Sequence, residues 1–362
     1  MVAEASTISK DEAAVYDRQI RLWGIDAQNK LRNSSVLVVG ITPLGAEFAK
    51  NITLSGLNSL TLMDGHQVTK DDIGHNFLLP LTGEELLGKN RAEAAYPRTY
   101  TLNPNVKLNA IPKDLEVQLN ENGEEWLGQF SLVALIDQSY QLVSKVNEIC
   151  RRLGVRFMSA SVFGWVGYSF FDFDGHSFLT KVQNQETEAA ATCDLESEPA
   201  PDSSVSEKKA VTMTIEEDQF EPKTYNYPSF EEAFHVDWSA KKLARKCKRI
   251  IPSSYFLVKS ILRAQKESRL TGSEENDLKV LEEIWEEEVK TGNHLKEQQT
   301  VQPEQFDHLF NPQLTPTCAV VGGLMGQEAI KALSEGKNPL RNIFIYSALD
   351  TTGIVCDFPP PQ

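Results

Sequence analysis

Residues Val36 to Asp64 are the stretch that most constrains this chain. An apolar run, Val36-Leu37-Val38-Val39, enters Gly40-Ile41-Thr42-Pro43-Leu44-Gly45, a helical stretch follows to about Ser55, and a second apolar run, Leu60-Thr61-Leu62-Met63, ends in Asp64. Asp64 follows Gly40 by 24 residues, near the spacing of the acid that meets ribose in nucleotide-binding folds. Strand, glycine loop, helix, strand and acid in that order predict a parallel β-α-β unit.

The loop itself departs from a working phosphate cradle. Such a loop needs glycine at the tight turn, at the closest backbone approach to phosphate and where helix meets sheet, with N–H groups aimed at the anion. Gly40 and Gly45 fill the first and last positions, but the middle one is Thr42, and Pro43 has no N–H to offer. As a helix start the pair is good, because Thr suits the N-cap and Pro the first helical position. The expectation is a retained fold around a compromised pocket.

The alternation continues downstream. Strands are expected near Val106–Leu108, Leu132–Ile136 and Arg156–Ser159, with a helix over Tyr140–Leu153, the grammar of a doubly wound, Rossmann-like α/β sheet. Val162 to Phe171, rich in aromatics and punctuated by Gly164 and Gly167, reads as an antiparallel addition. From about Asn184 to Glu207 there is little to bury, which predicts a disordered acidic connection. Beyond it a small strand pair is expected at Val211–Ile215 and Thr224–Tyr227, then helices near Ser239–Arg249, Ser253–Glu267, Glu274–Lys290 and Pro303–Leu309. Leu278, Leu281, Ile284 and Trp285 form an apolar stripe in the third helix, so its acids read as a solvated face. A helix from about Ala319 to Ser334 and strands at Asn342–Tyr346 and Gly353–Cys356 return to α/β order. The organisation is therefore a first α/β part over 1–180, an acidic linker over 181–210, a strand pair with a helical insertion over 211–311, and a final α/β part over 312–362.

Charge and cysteine usage exclude several classes. A net charge of −15 and a pI of about 5.0 disfavour nucleic-acid binding and favour basic or amine-rich protein partners. No apolar run approaches the roughly 18 residues that cross a membrane, and Met1-Val2-Ala3-Glu4 shows no export pattern. Five scattered cysteines, without Cys-x-x-Cys or a Cys/His cluster, predict a reducing compartment and no zinc site.

The most specific string is Tyr16-Asp17-Arg18-Gln19-Ile20-Arg21-Leu22-Trp23-Gly24, expected within one helix from Glu12 to Asn33 that is anchored by Tyr16, Ile20, Trp23 and Leu31. Arg18 and Arg21, three apart, either face an anion together or pair on the surface with Asp17 or Glu12. The string resembles the opening of the ubiquitin-like modifier-activating enzymes, and the resemblance covers roughly 12–175 and 312–356. It includes the glycine loop, Asp64, Gly88 to Ala94, Asn103-Pro104, Phe163 to Tyr168 and Pro316-x-Cys318-Ala319-Val320-Val321-Gly322-Gly323. Within the family it is similar to the small-subunit branch of the heterodimeric SUMO-activating enzymes.

That resemblance implies a ThiF/MoeB-type adenylation domain and a role for Arg18 across a dimer interface, at the ATP phosphates of the partner's pocket. It implies a larger partner subunit carrying the thioester-forming cysteine, with SUMO as the modifier and ATP and Mg bound mainly by the partner. Active half-sites of the family carry Asn-x-Asn-Arg-Gln-Phe. The matching stretch here is Asp72-Ile73-Gly74-His75-Asn76-Phe77, which puts a carboxylate and a largely neutral imidazole where asparagine and arginine belong. Arg91 aligns with a phosphate-contacting lysine. Asp137 aligns with a Mg-associated aspartate, or serves as a strand-end residue capping the helix after Ser139. Gly40, Gly45, Asp64, Arg91 and Asp137 thus define a degenerate pocket. None of the five cysteines matches the family's thioester-forming one. Lys241 to Arg249 is a solvated helix face or an import signal, making the nucleus the expected compartment, with the cytoplasm as the alternative. Other readings are the regulatory subunit of a Nedd-type activating enzyme, a self-sufficient homodimeric adenylyltransferase and a nicotinamide-dependent oxidoreductase.

Overall fold

The central strand β1 (Ser35–Val39) runs parallel between β2 (Ser59–Met63) and β4 (Leu132–Ile136), with Val36 paired to Leu60 on one side and Leu132 on the other. In the computed structural model, which describes residues 9–173, 175–181, 220–236, 252–291, 306, 308–310, 312–335 and 338–358, it forms the middle of an eight-stranded sheet. β3 (Lys107–Ile111) extends the parallel part beyond β2, and β5 (Arg156–Phe163) extends it beyond β4. From β5 the direction alternates through β6 (Val166–Asp172), β9 (Ile343–Ser347) and β10 (Thr352–Cys356). The expected antiparallel addition is therefore β6, turned at Gly164 with φ +51°.

Helices cover both faces. One face carries α3 (Ile25–Arg32), α4 (Pro43–Leu54), α5 (Arg91–Leu102) and α11 (Thr315–Ser334), closing a core that includes Val38, Phe48, Leu62 and Met325. α4 and α11 touch almost backbone to backbone. A Cβ on Gly322 would lie 2.8 Å from that of Glu47, and one on Gly326 would lie 2.7 Å from that of Asn51. The other face carries α6 (Leu115–Asn122), α7 (Tyr140–Leu153) and the insertion's α8 (Phe230–Phe234), α9 (Ser253–Lys266) and α10 (Glu274–Thr291). Phe170 stacks edge-on against Phe230, and Tyr255 against Phe358, so the insertion shares one core with the sheet. Leu281, Ile284 and Trp285 are buried as the apolar stripe predicts.

Two expectations need correction. The opening helix is three short ones, α1 (Lys10–Val15), α2 (Asp17–Trp23) and α3, broken at Tyr16, which turns into the core, and at Gly24, with φ +89°. The strand near Thr224 is β8 (Phe220–Tyr225), and its partner is β7 (His176–Lys181), a segment not anticipated as a strand. Val211–Ile215, the expected partner, lies outside the described residues, as do residues 182–210 of the expected linker, the basic run Lys241 to Arg249, and Cys193 and Cys247; Lys181, the linker's expected first residue, ends β7. Among the described residues no helix is long and apolar enough to cross a membrane.

Candidate functional site

The predicted pocket residues converge at the carboxyl ends of β1, β2 and β4, where α/β sheets bind ligands. Gly40 has φ +92°, and a Cβ there would lie 2.1 Å from the Ile136 carbonyl oxygen; a Cβ on Gly45 would lie 2.0 Å from that of Gly40. Both glycines are thus required by the packing of loop on strand, whatever the loop binds. Thr42 caps α4 as expected, its Oγ1 accepting from the Gly45 N–H at 3.3 Å, with Pro43 at the first helical position.

The N–H groups of Ile41, Leu44 and Gly45, three of the donors that would meet an anion, are engaged within the protein. The Ile41 N–H donates to Asp64 Oδ2 at 2.8 Å, and the Leu44 N–H approaches Gln313 Oε1 at 3.4 Å. Asp64 also accepts from the His66 N–H at 2.9 Å. Arg91 lies between two buried carboxylates, with Nη1 at 3.3 Å from Asp64 Oδ2 and Nε at 3.4 Å from Asp72 Oδ2. Asp72 additionally accepts from the Thr69 N–H and hydroxyl at 2.8 and 2.9 Å. The Arg91 cation is therefore spent on internal carboxylates. His75 is exposed, with Nδ1 at 2.8 Å from the Asp71 carbonyl, while Asn76 Nδ2 donates to the Ile41 carbonyl and ties this stretch to the glycine loop. A cavity of about 260 Å³ is left, lined by Pro43, Asp71, Asp72, His75, Pro312 and Gln313.

Asp137 has φ +53° and is fully engaged. Its Oδ1 accepts from the Val162 N–H at 3.1 Å, and its Oδ2 accepts from the Thr42 hydroxyl at 2.5 Å and Gln313 Nε2 at 2.8 Å. Burial pushes its carboxyl above the usual range, and these hydrogen bonds pull the other way. The cap of α7 is Ser139, whose Oγ accepts from the Leu142 N–H, so the capping role considered for Asp137 belongs to its neighbour. With three of its backbone donors taken, carboxylates on the cavity wall and the Arg91 cation held between Asp64 and Asp72, this half-site does not fit a triphosphate.

Arg18 stands apart from all of this. It is exposed and forms no ion pair among the described residues, whereas Arg21 pairs with Asp17 at 3.0 Å and Arg32 with Glu12 at 2.9 Å. The surface-pair alternative therefore holds for Arg21. The helix carrying Arg18 is fastened to the carboxyl end of α4, where Gln19 Nε2 donates to the Leu54 carbonyl at 3.0 Å. The twelve residues of α4 separate that end from the glycine loop, a length of about 18 Å. Gln313 is the residue that sequence reasoning missed. Its partner Asp137 is 176 positions away, and nothing local marks it beyond its place just before Pro316-x-Cys318. The described cysteines, Cys150, Cys318 and Cys356, are buried and unbridged. Burial pushes the Cys150 and Cys318 thiols far upward, against thiolate chemistry.

The ThiF family matches residues 16–360. Over 353 residues the chain is 49% identical to SUMO-activating enzyme subunit aos-1 of Caenorhabditis elegans, covering 98% of this chain and 99% of that one. The chain belongs to the ThiF family, in its SUMO-activating enzyme subunit 1 branch. The human SUMO-activating enzyme subunit 1 is 36% identical over 351 residues, covering 96% of this chain and 95% of its own. Solved structures share the fold at low identity. The crystal structure of PaaA gives a TM-score of 0.53 at 14% identity, covering 99% of this chain and 77% of that one. E. coli MccB with succinimide gives 0.51 at 12%, covering 95% and 71%. The doubly wound α/β fold of a ThiF-type domain is thus common to all of them.

Proposed function

We propose that this chain is the non-thioester subunit of a heterodimeric SUMO-activating enzyme and serves adenylation in its partner's pocket. The observation that carries this reading is the position of Arg18. It is exposed at the end of α4 remote from its own glycine loop, so its guanidinium is free for a second subunit and too far to serve its own half-site. The filled half-site agrees, since a platform subunit needs the fold and not the turnover.

A docking face for that partner lies beside Arg18. Leu22 and Trp23 of α2 form a groove of about 280 Å³ with Gly323, Gly326 and Ile330 of α11. Leu22, Ile25 and Val320 stay exposed around it, a patch of the kind that marks a protein interface. In the assembled enzyme the partner's pocket would hold Mg-ATP, which supplies an adenylyl group: the SUMO C-terminal carboxylate displaces pyrophosphate from the α-phosphorus, and the partner's cysteine then takes over the acyl group with release of AMP. This chain contributes the opposing half of the dimer and a cation at the developing phosphate charge. Such a charge in a water-poor site is electrostatic catalysis worth several kcal/mol.

The test is ATP–pyrophosphate exchange with SUMO. The chain alone is expected to be inactive and the complex with the larger cysteine-bearing subunit active. Robust exchange by the purified chain would instead indicate a self-sufficient adenylyltransferase.

A further inference from the structure

Gln313 sits just ahead of α11 and touches four residues around the half-site with one carboxamide. Its Oε1 faces the Leu44 N–H at 3.4 Å and Cys318 Sγ at 3.7 Å, while its Nε2 donates to Asp137 Oδ2 at 2.8 Å and to the Val162 carbonyl at 3.2 Å. Leu44 is the second residue of α4, so its amide has no partner within the helix. In a working half-site, amides at this helix start meet phosphate. Here Pro43 has no N–H, the Ile41 N–H goes to Asp64 and the Gly45 N–H goes to Thr42, which leaves the Leu44 N–H to Gln313.

We propose that Gln313 is a resident occupant of this half-site: its carboxamide takes the place of a nucleotide phosphate at the start of α4 and fixes the loop without nucleotide. The proposal rests on reading this chain as the half that does not adenylate. An amide is the group that fits, because it is uncharged and both accepts and donates. A phosphate or carboxylate in the same place would face Asp137 at close range, with Asp72 on the wall of the same cavity, and an alkyl group would leave Leu44 and Asp137 short of a partner. The same contacts tie the ends of β4 and β5 to the segment entering α11, so the two close-packed helices α4 and α11 are held together at this end as well as along their glycines.

Hydrogen exchange of the 362-residue chain, read by mass spectrometry, tests this. Gln313→Ala is expected to speed exchange at amides 41–46 at least tenfold while the strand amides of 36–39 and 60–63 keep their rates; unchanged rates at 41–46 overturn the proposal. Where that variant does not fold, a pair swap decides. Gln313→Glu sets a carboxylate against Asp137 and is expected to lower the Tm by roughly 5 °C or more. Asp137→Asn combined with Gln313→Glu moves the charge to the other partner and is expected to return at least half of that loss, whereas simple addition of the two losses overturns direct pairing. Mg-ATP is expected to leave exchange at 41–46 of the unaltered chain unchanged; slowing there would mean that nucleotide displaces Gln313 and would overturn the proposal. None of these readouts needs the partner or SUMO, so they stand or fall separately from the adenylation reading.

Discussion

Asn103 donates its side-chain N–H to the Tyr16 hydroxyl at 2.9 Å, joining the break between the first two helices to the end of α5 across 87 positions. The Tyr16 ring lies so close to Gly56 that a Cβ there would sit 2.6 Å from its Cζ, and Gly56 has φ +82°. The chain next to Tyr16 carries Arg18, so this buried contact fixes where that guanidinium leaves the protein surface. Tyr16→Phe is expected to cost about 1 kcal/mol in urea unfolding, because Asn103 keeps the Thr53 carbonyl at 3.0 Å. Gly56→Ala is expected to cost about 2–4 kcal/mol and to lower exchange activity of the complex beyond Tyr16→Phe, by pushing the ring and its helix outward.

Arg18→Ala is expected to leave stability within about 0.5 kcal/mol, since the side chain is exposed and outside the ion pairs described for its neighbours. In the reconstituted complex, adenylate formation should drop about a hundredfold or more. Unchanged pyrophosphate exchange would make Arg18 a surface residue and nothing else.

Arg91→Met would strand Asp64 and Asp72 as buried carboxylates without their cation. Urea denaturation should register a loss of about 3–5 kcal/mol. Adding Asp72→Asn should recover part of it, because one of the two uncompensated charges is then gone; no recovery would mean that the guanidinium matters through packing.

Replacing Thr42-Pro43 with Gly-Gly restores a glycine-rich loop on paper. Calorimetry with Mg-ATP should nevertheless detect no binding, because Asp64 and Gln313 still hold the loop amides and Asp72 still lines the cavity. The variant should lose about 1 kcal/mol with the Thr42 cap.

Glu335 joins Lys30 at 2.9 Å and Arg156 at 2.6 Å, linking the end of α11 to α3 and β5. Partial burial works to raise its carboxyl, but the two cations outweigh it and hold it below the ordinary 4.5. A depressed value means stabilisation that is present above 4.5 and fades as pH falls through the lower folded-state value. Glu335→Gln should therefore show a Tm deficit that is constant well above 4.5 and shrinks as the pH falls below 4.5 through the lower folded-state value. A gap that widens in acid would contradict the assignment.

Local grammar made the β-α-β unit legible. The apolar runs became β1 and β2, Thr42 capped α4, and Leu281, Ile284 and Trp285 turned inward as their spacing required. What stayed hidden depends on partners distant in sequence. Gln313 acquires its role only when the fold brings Asp137 beside it, and Asp72 reads as a repelling charge until Arg91 is seen between it and Asp64. The inward side of Tyr16 was legible, but the break there was not, because helix periodicity continues through it and the contacts that hold the ring, with Asn103 and over Gly56, come from residues distant in sequence. Segment 176–181 gave no strand signal of its own; its pairing with β8 supplies the order.

The β7–β8 ladder pairs Lys181 with Phe220, so two positions separated by 38 residues of sequence are held side by side. Such a closure is nearly indifferent to length, each doubling adding only about 0.6 kcal/mol of closure entropy. The hairpin base thus acts as a clamp that isolates the sheet from whatever is threaded between those two residues.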